Sequence, residues 1–176
     1  MRQFGVSVVT TVSLLLASAS AASAATSQYT SLAAPACRER ALDPDDPVDG
    51  GGRTCSGAAG WSLNIDTGDD RDFVVAVPPR QARGFDLRLS EVVTTAFSWV
   101  GPRAEWRSRS RGAAPYALII RLGHQRQDGV SNTSVLVVTR LDRQCVTAVI
   151  PAGPQQNERA RTAADTPGAC LPSFSG

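Results

Sequence analysis

The sequence contains no lysine; all 18 of its basic residues are arginines. Alanine, glycine, proline and arginine are abundant together, so a compositional bias accounts for the absence. Selection for bidentate recognition of carboxylate or phosphate is the other reading. Sixteen acidic residues bring the net charge to +2, which provides no global field of the kind that drives nucleic-acid binding. Histidine occurs once, at His124, and cysteine four times, with no C-x-x-C pair. A zinc site is therefore not expected. A serine nucleophile elbow, a Cys-His arrangement, paired acids for glycoside cleavage and Gly-rich phosphate loops are also lacking. No cofactor and no metal is expected. After the first apolar run, no stretch approaches the roughly 20 residues that span a bilayer.

That first run is itself informative. Arg2 supplies a positive start, Gly5 to Ala17 an apolar segment, and Ala22-Ser23-Ala24 a small-x-small cleavage site. Residues 1–24 thus read as an export signal, too short for a transmembrane helix. No cysteine stands at the cleavage site to carry a lipid anchor. The expected mature chain is periplasmic or secreted, with no transmembrane segment after cleavage. Its four cysteines would meet an oxidising compartment, where paired thiols are the default.

Residues 25–36 are small and polar without periodicity and read as a flexible lead-in to a single β-rich domain at 37–176. Between Cys37 and Cys55, the run Asp43-Pro44-Asp45-Asp46-Pro47-Val48-Asp49-Gly50 reads as a turn-rich loop. Its carboxylates are of the type calcium uses, but prolines interrupt it and the terminal glutamate of an EF-hand loop is missing. Trp61, Leu63 and Ile65 alternate with polar residues, and Phe73 to Val77 follows a Thr67-Gly68-Asp69-Asp70 turn, predicting a β-hairpin. Phe85, Leu87 and Leu89 suggest a third strand. Ser90 to Val100 fits either a helical stripe or a strand, and a short helix capped by Ser90 is preferred, ended by Gly101-Pro102. Ala104 to Arg107 starts another extended piece with Trp106 inward. Tyr116 to Leu122 is apolar on both faces, as near a sheet centre. A polar loop from Gly123 to Thr133, a strand from Ser134 to Leu141 and a last strand from Cys145 to Ile150 complete the β-rich part. Gln155 to Ala164 predicts a helix with Pro154 in its first turn, whose Ala160, Ala163 and Ala164 could lie flat on a sheet. The fold class is α+β: an antiparallel sheet of about six or seven strands with a C-terminal helix on one face.

Four cysteines allow three pairings. The architecture favours the local one, Cys37–Cys55 and Cys145–Cys170, which closes the loop before the sheet and pins the terminal helix to the last strand.

The stretch Ser134 to Leu141, Cys145-Val146, Asn157-Glu158-Arg159-Ala160-Arg161-Thr162-Ala163-Ala164-Asp165 and Cys170 resembles the end of an uncharacterised family of small exported proteobacterial proteins. That family carries an Asn-x-x-Ala-Arg-x-x-Ala-Asp helix between two cysteines. Arg53-Thr54-Cys55-Ser56-Gly57, Gly60-Trp61 and Gly101-Pro102-Arg103-Ala104-Glu105-Trp106-Arg107 are similar to its upstream parts. The resemblance supports the local disulfides and implies no activity.

Few residues offer chemistry. His124, near Asp128 in sequence, needs partners from elsewhere to act as a base, and a solvated loop histidine is the plainer reading. Arg107, Arg109 and Arg111 alternate with serines, so an extended backbone would place all three guanidinium groups on one side. Such an edge suits an anionic envelope polymer, or simply guards against sheet-to-sheet pairing. Trp61, Trp99 and Trp106 read as packing residues, or as a carbohydrate platform if exposed in a row. The expected function is a non-catalytic exported binding or accessory protein of the cell envelope. Its partner would be an unknown envelope protein or an anionic envelope polymer, not nucleic acid. The alternatives are an envelope hydrolase using His124 with an acidic residue, and a structural envelope component.

Overall fold

The computed structural model describes Met1 and residues 25–40 and 51–174. The expected signal at residues 2–24 and the Asp43–Asp49 cluster lie outside the described residues. Ten strands form one mixed sheet: β1 (Thr26–Ser31), β2 (Arg38–Arg40), β3 (Gly52–Ser56), β4 (Ser62–Gly68), β5 (Arg71–Val77), β6 (Phe85–Asp86), β7 (Ser98–Ser108), β8 (Pro115–Gln125), β9 (Asn132–Arg140) and β10 (Cys145–Pro151). Among the described residues two α-helices accompany them, α1 (Leu89–Val92) and α2 (Gln156–Asp165).

The strand count exceeds the expected six or seven because polar segments joined the sheet. β1, expected as a lead-in, pairs antiparallel with β7 from Thr26 opposite Ser108 to Ser31 opposite Arg103. β3 comes from the Gly-rich end of the expected loop and pairs with both β2 and β4. The sheet is also not purely antiparallel, since β5 and β7 meet in parallel at Arg71 and Ser98. Asp72 secures this junction. Its carboxylate accepts the Val100 N–H at 2.7 Å and the Thr67 hydroxyl at 2.6 Å.

Other expectations shift by a few residues. The β4–β5 hairpin turns through Asp69 and Asp70, both at positive φ, as a two-residue turn of primed type requires. The third strand shrinks to Phe85–Asp86, with Leu89 passing into α1. Ser90 is not the cap of that helix; Arg88 occupies the position in a left-handed conformation. Gly101-Pro102 does not end an element. β7 runs through it with a register shift between Val100 and Ala104, a bulge that accommodates the proline. α2 starts at Gln156, after Gln155 rather than from Pro154.

The strands of both halves share one core. Leu63, Ile65 and Val74 pack in the same buried cluster as Ala104, Trp106, Leu118, Ile120 and Val137. Trp106 is fully buried, its ring 6.3 Å from that of Trp61, and its indole N–H donates to Thr30 Oγ1 at 2.8 Å. A smaller cluster fills the opposite face of β8 and β9, where Ala160 and Ala164 of α2 pack on Ala117, Ile119, Leu136 and Val138. The small side chains let the helix axis approach the sheet, as expected from sequence.

Both local disulfides are formed, Cys37–Cys55 and Cys145–Cys170. They fit an oxidising environment. No helix among the described residues is long and apolar enough to cross a membrane.

Candidate functional site

On one face of α2, Asn157, Arg161 and Asp165 recur every four residues, about 6 Å apart along the axis. On one face of β7, Arg103, Glu105 and Arg107 recur every two residues, about 6.6 Å apart. The matching repeats set the two rows against each other as rungs. Asp165 takes the first, accepting from Arg107 Nε at 3.0 Å and Nη2 at 2.5 Å. Arg161 takes the second, donating from Nε to Glu105 Oε1 at 2.7 Å. Glu105 and Arg107 are both buried, and β1 supplies the outer contacts: Ser27 bonds to each, and Tyr29 OH accepts from Arg161 at 2.7 Å.

Electrostatics reflect this geometry. Arg107 is held even more firmly protonated by its bond to Asp165. Burial pushes the Asp165 carboxyl up, but the hydrogen bonds from Arg107 and Tyr116 outweigh it and leave the group below the usual carboxylate range. Burial and the Asp165 carboxylate together raise the Tyr116 phenol. The C-terminal end of α2 carries partial negative charge. Arg140 answers it, with Nη1 3.4 Å from the Ala164 carbonyl.

The third rung is different. Asn157 faces a cleft of about 230 Å³ whose lining includes Arg103, Arg121 and Tyr29 over a floor of Pro102, Ile119 and Leu136. Neither Arg103 nor Arg121 has a carboxylate partner among the described residues. Arg103 stacks its guanidinium 5.9 Å from the centre of the Tyr29 ring. Arg121 Nη1 donates to two neutral oxygens, Ser134 Oγ and Gln156 Oε1, each at 3.0 Å. The β7 bulge forms one wall. Gly101 permits it, because a Cβ there would lie 3.0 Å from Arg121 Cβ.

The residues singled out from sequence are not brought together. Arg107 is buried in the rungs, whereas Arg109 and Arg111 are exposed on the hairpin turn after β7 ends at Ser108. The extended backbone that would align them stops before it reaches Arg109. Arg109 lies 6.0 Å from the Tyr116 ring centre, and Arg111 lines a recess with Thr26, Ser27 and Gln28. His124 sits in β8 rather than in a loop, with Nδ1 3.0 Å from the Gln125 carbonyl oxygen. Among the described residues no three His, Cys, Asp or Glu side chains gather as a metal site. Trp99 alone of the tryptophans is substantially exposed, at 44%, and lies flat on Gly123, where any Cβ would strike its ring.

No protein family, curated protein or solved structure matches this chain. What sets the α2–β7 cleft apart is its own chemistry. It joins apolar floor to unmatched positive charge, and five elements (β1, β7, β8, β9 and α2) contribute its lining. Sequence reasoning missed it, although the i, i+4, i+8 row in the helix and the alternating Arg-Glu-Arg row in the strand were both readable.

Proposed function

We propose that this chain is a non-catalytic binding or accessory protein of the cell envelope, exported to the periplasm or beyond, and that it binds through the α2–β7 cleft. The observation that carries this reading is the pair Arg103 and Arg121, two guanidinium groups without carboxylate partners held at an open cleft that is also lined by Pro102, Ile119 and Leu136. Arg107 and Arg161 on the two neighbouring rungs are answered by Asp165 and Glu105, so the unanswered pair beside them marks where something external fits. The two disulfides and the leader-like first residues support a place outside the cytoplasm. The polar surroundings of His124 favour binding over hydrolysis, since its hydrogen bond goes to a main-chain carbonyl and not to a carboxylate.

A photoreactive residue at position 157, with a control at Arg38 on β2, tests the location. In cells that make the protein, adducts should form from 157 and not from 38. Equal labelling from both positions would overturn the assignment of the cleft.

A further inference from the structure

We infer that the cleft takes a small organic carboxylate, an acid group carried on an apolar body about the size of an amino-acid side chain. The inference rests on the binding reading above and comes from the unfinished ladder between α2 and β7. The first two rungs each join a guanidinium to a carboxylate, Arg107 to Asp165 and Arg161 to Glu105. At the third rung the helix offers Asn157 and the strand offers Arg103, so the chain supplies the cation and omits the anion. A ligand carboxylate placed there would complete the series.

Local charge agrees. Arg103, Arg107, Arg121 and Arg161 surround this face, against the carboxylates of Glu105 and Asp165. Glu105 lines the cleft, yet its Oε1 accepts from Ser27 and Arg161 Nε and lies 4.0 Å from Arg107, and its Oε2 faces Arg161 Nη2 at 3.5 Å, so its charge is already answered by Arg161. Arg121 is pre-positioned for an anion. Ser134 and Gln156 hold one end of its guanidinium, and neither neutral partner satisfies its charge. Arginine suits this task, because its planar fork meets both oxygens of a carboxylate.

Size and polarity define the rest of the ligand. The cleft, at about 230 Å³, is smaller than the roughly 300–1,000 Å³ of sites for drug-sized molecules. Pro102, Ile119 and Leu136 give the floor an apolar character that inorganic phosphate cannot use. An aliphatic acid and the C-terminal residue of a peptide share the required chemistry.

Titration of the isotopically labelled, oxidised protein with hexanoate and with N-acetyl-leucine, monitored by NMR, tests this. Both should shift resonances of Arg103, Arg121 and Asn157, with hexanol and hexylammonium far weaker. A tighter response to N-acetyl-leucine identifies a peptide C-terminus as the source, and a tighter response to hexanoate identifies an unbranched acid. Arg121→Gln should weaken binding about tenfold or more. Asn157→Asp is the sharper variant, since it builds the missing carboxylate into the rung. It should raise the melting temperature and cost hexanoate at least about tenfold in affinity. Hexanol binding as tightly as hexanoate, or Asn157→Asp leaving the affinity unchanged, would overturn the carboxylate inference while keeping the cleft as a binding site. Failure of all four probes to shift any cleft resonance, together with equal photolabelling from positions 157 and 38, would overturn both readings.

Discussion

Arg107 Nε donates to Asp165 Oδ1 at 3.0 Å, joining the last residue of α2 to the next-to-last residue of β7. The two ends of this bond are not equivalent. Arg107 is buried, while Asp165 keeps about a third of its side chain exposed and also accepts from Tyr116 OH at 2.6 Å. Removing the carboxylate strands a buried cation; removing the guanidinium leaves an anion that water can reach. Asp165→Ala should therefore destabilise the fold by about 1–3 kcal/mol, and Arg107→Met by less. Urea unfolding of the two variants beside the parent checks the order. An equal loss would mean that the pair acts only through packing.

The same contacts make stability depend on acid. In the folded chain the Asp165 carboxyl lies below its usual range, because the bonds from Arg107 and Tyr116 outweigh burial. Asp142 is lowered too, chiefly by its hydrogen bond from Arg140. Groups depressed in the folded state stabilise it above their unfolded values, near 4, and lose that contribution as pH falls through the folded values. Thermal melts should be flat from pH 7 to about 5 and fall steeply towards pH 2. Asp165→Asn should flatten the acidic limb. Asp128, held at about 2 by the Ser131 hydroxyl and by backbone N–H groups, will titrate last of the three in an NMR series.

The second disulfide fastens the segment after the helix. Cys170 is tied to Cys145, Leu171 N donates to the Val146 carbonyl at 2.9 Å, and Phe174 N reaches the Glu91 carbonyl at 2.9 Å. A closed loop of this length adds about 3 kcal/mol by chain entropy. Replacing Cys145 and Cys170 by alanine should lower the stability by that order, read as a reduced midpoint in urea. Amide exchange near Leu171 should rise with it. A double variant that unfolds at the parental midpoint would contradict this account.

Gly57 makes room for the largest core residue. A Cβ at that position would lie 2.4 Å from Trp106 Cζ2, and the indole has no free space to retreat into. Gly57→Ala should cost about 1–3 kcal/mol through overpacking, with a red-shifted tryptophan emission as the ring loses its burial. Unchanged emission and stability would show that the loop carrying Gly57 moves instead.

These residues also show how far the sequence alone could lead. β4 is legible from its period-two alternation, β8 from a run apolar on both faces and α2 from its helix formers, signals that depend only on neighbours in the chain. β1 was not legible. Thr26-Ser27-Gln28-Tyr29-Thr30-Ser31 buries no apolar face and owes its strand form to β7, whose sequence lies far along the chain. Arg107 misled for a similar reason. A charge at the head of the Arg-Ser alternation that runs to Arg111 reads as solvated until Asp165, 58 residues away, is placed beside it. Gly101-Pro102 reads as a stop, and only the bulge shows how a strand passes through it. The cleft depended on all of these at once, so no single segment announced it.

The pairing of β1 with β7 has a consequence for the order in which the chain is made. Thr26–Ser31 emerges before any other strand, yet its hydrogen-bonding partner, Arg103–Ser108, is completed only after β2 to β6. Until then its backbone groups have nowhere native to go, and such distant pairing slows closure of a sheet. A hydrophobic segment kept waiting in that way would recruit the wrong strand or another chain. The hydroxyl-rich composition that hides β1 in the sequence is also the property that allows it to wait in water.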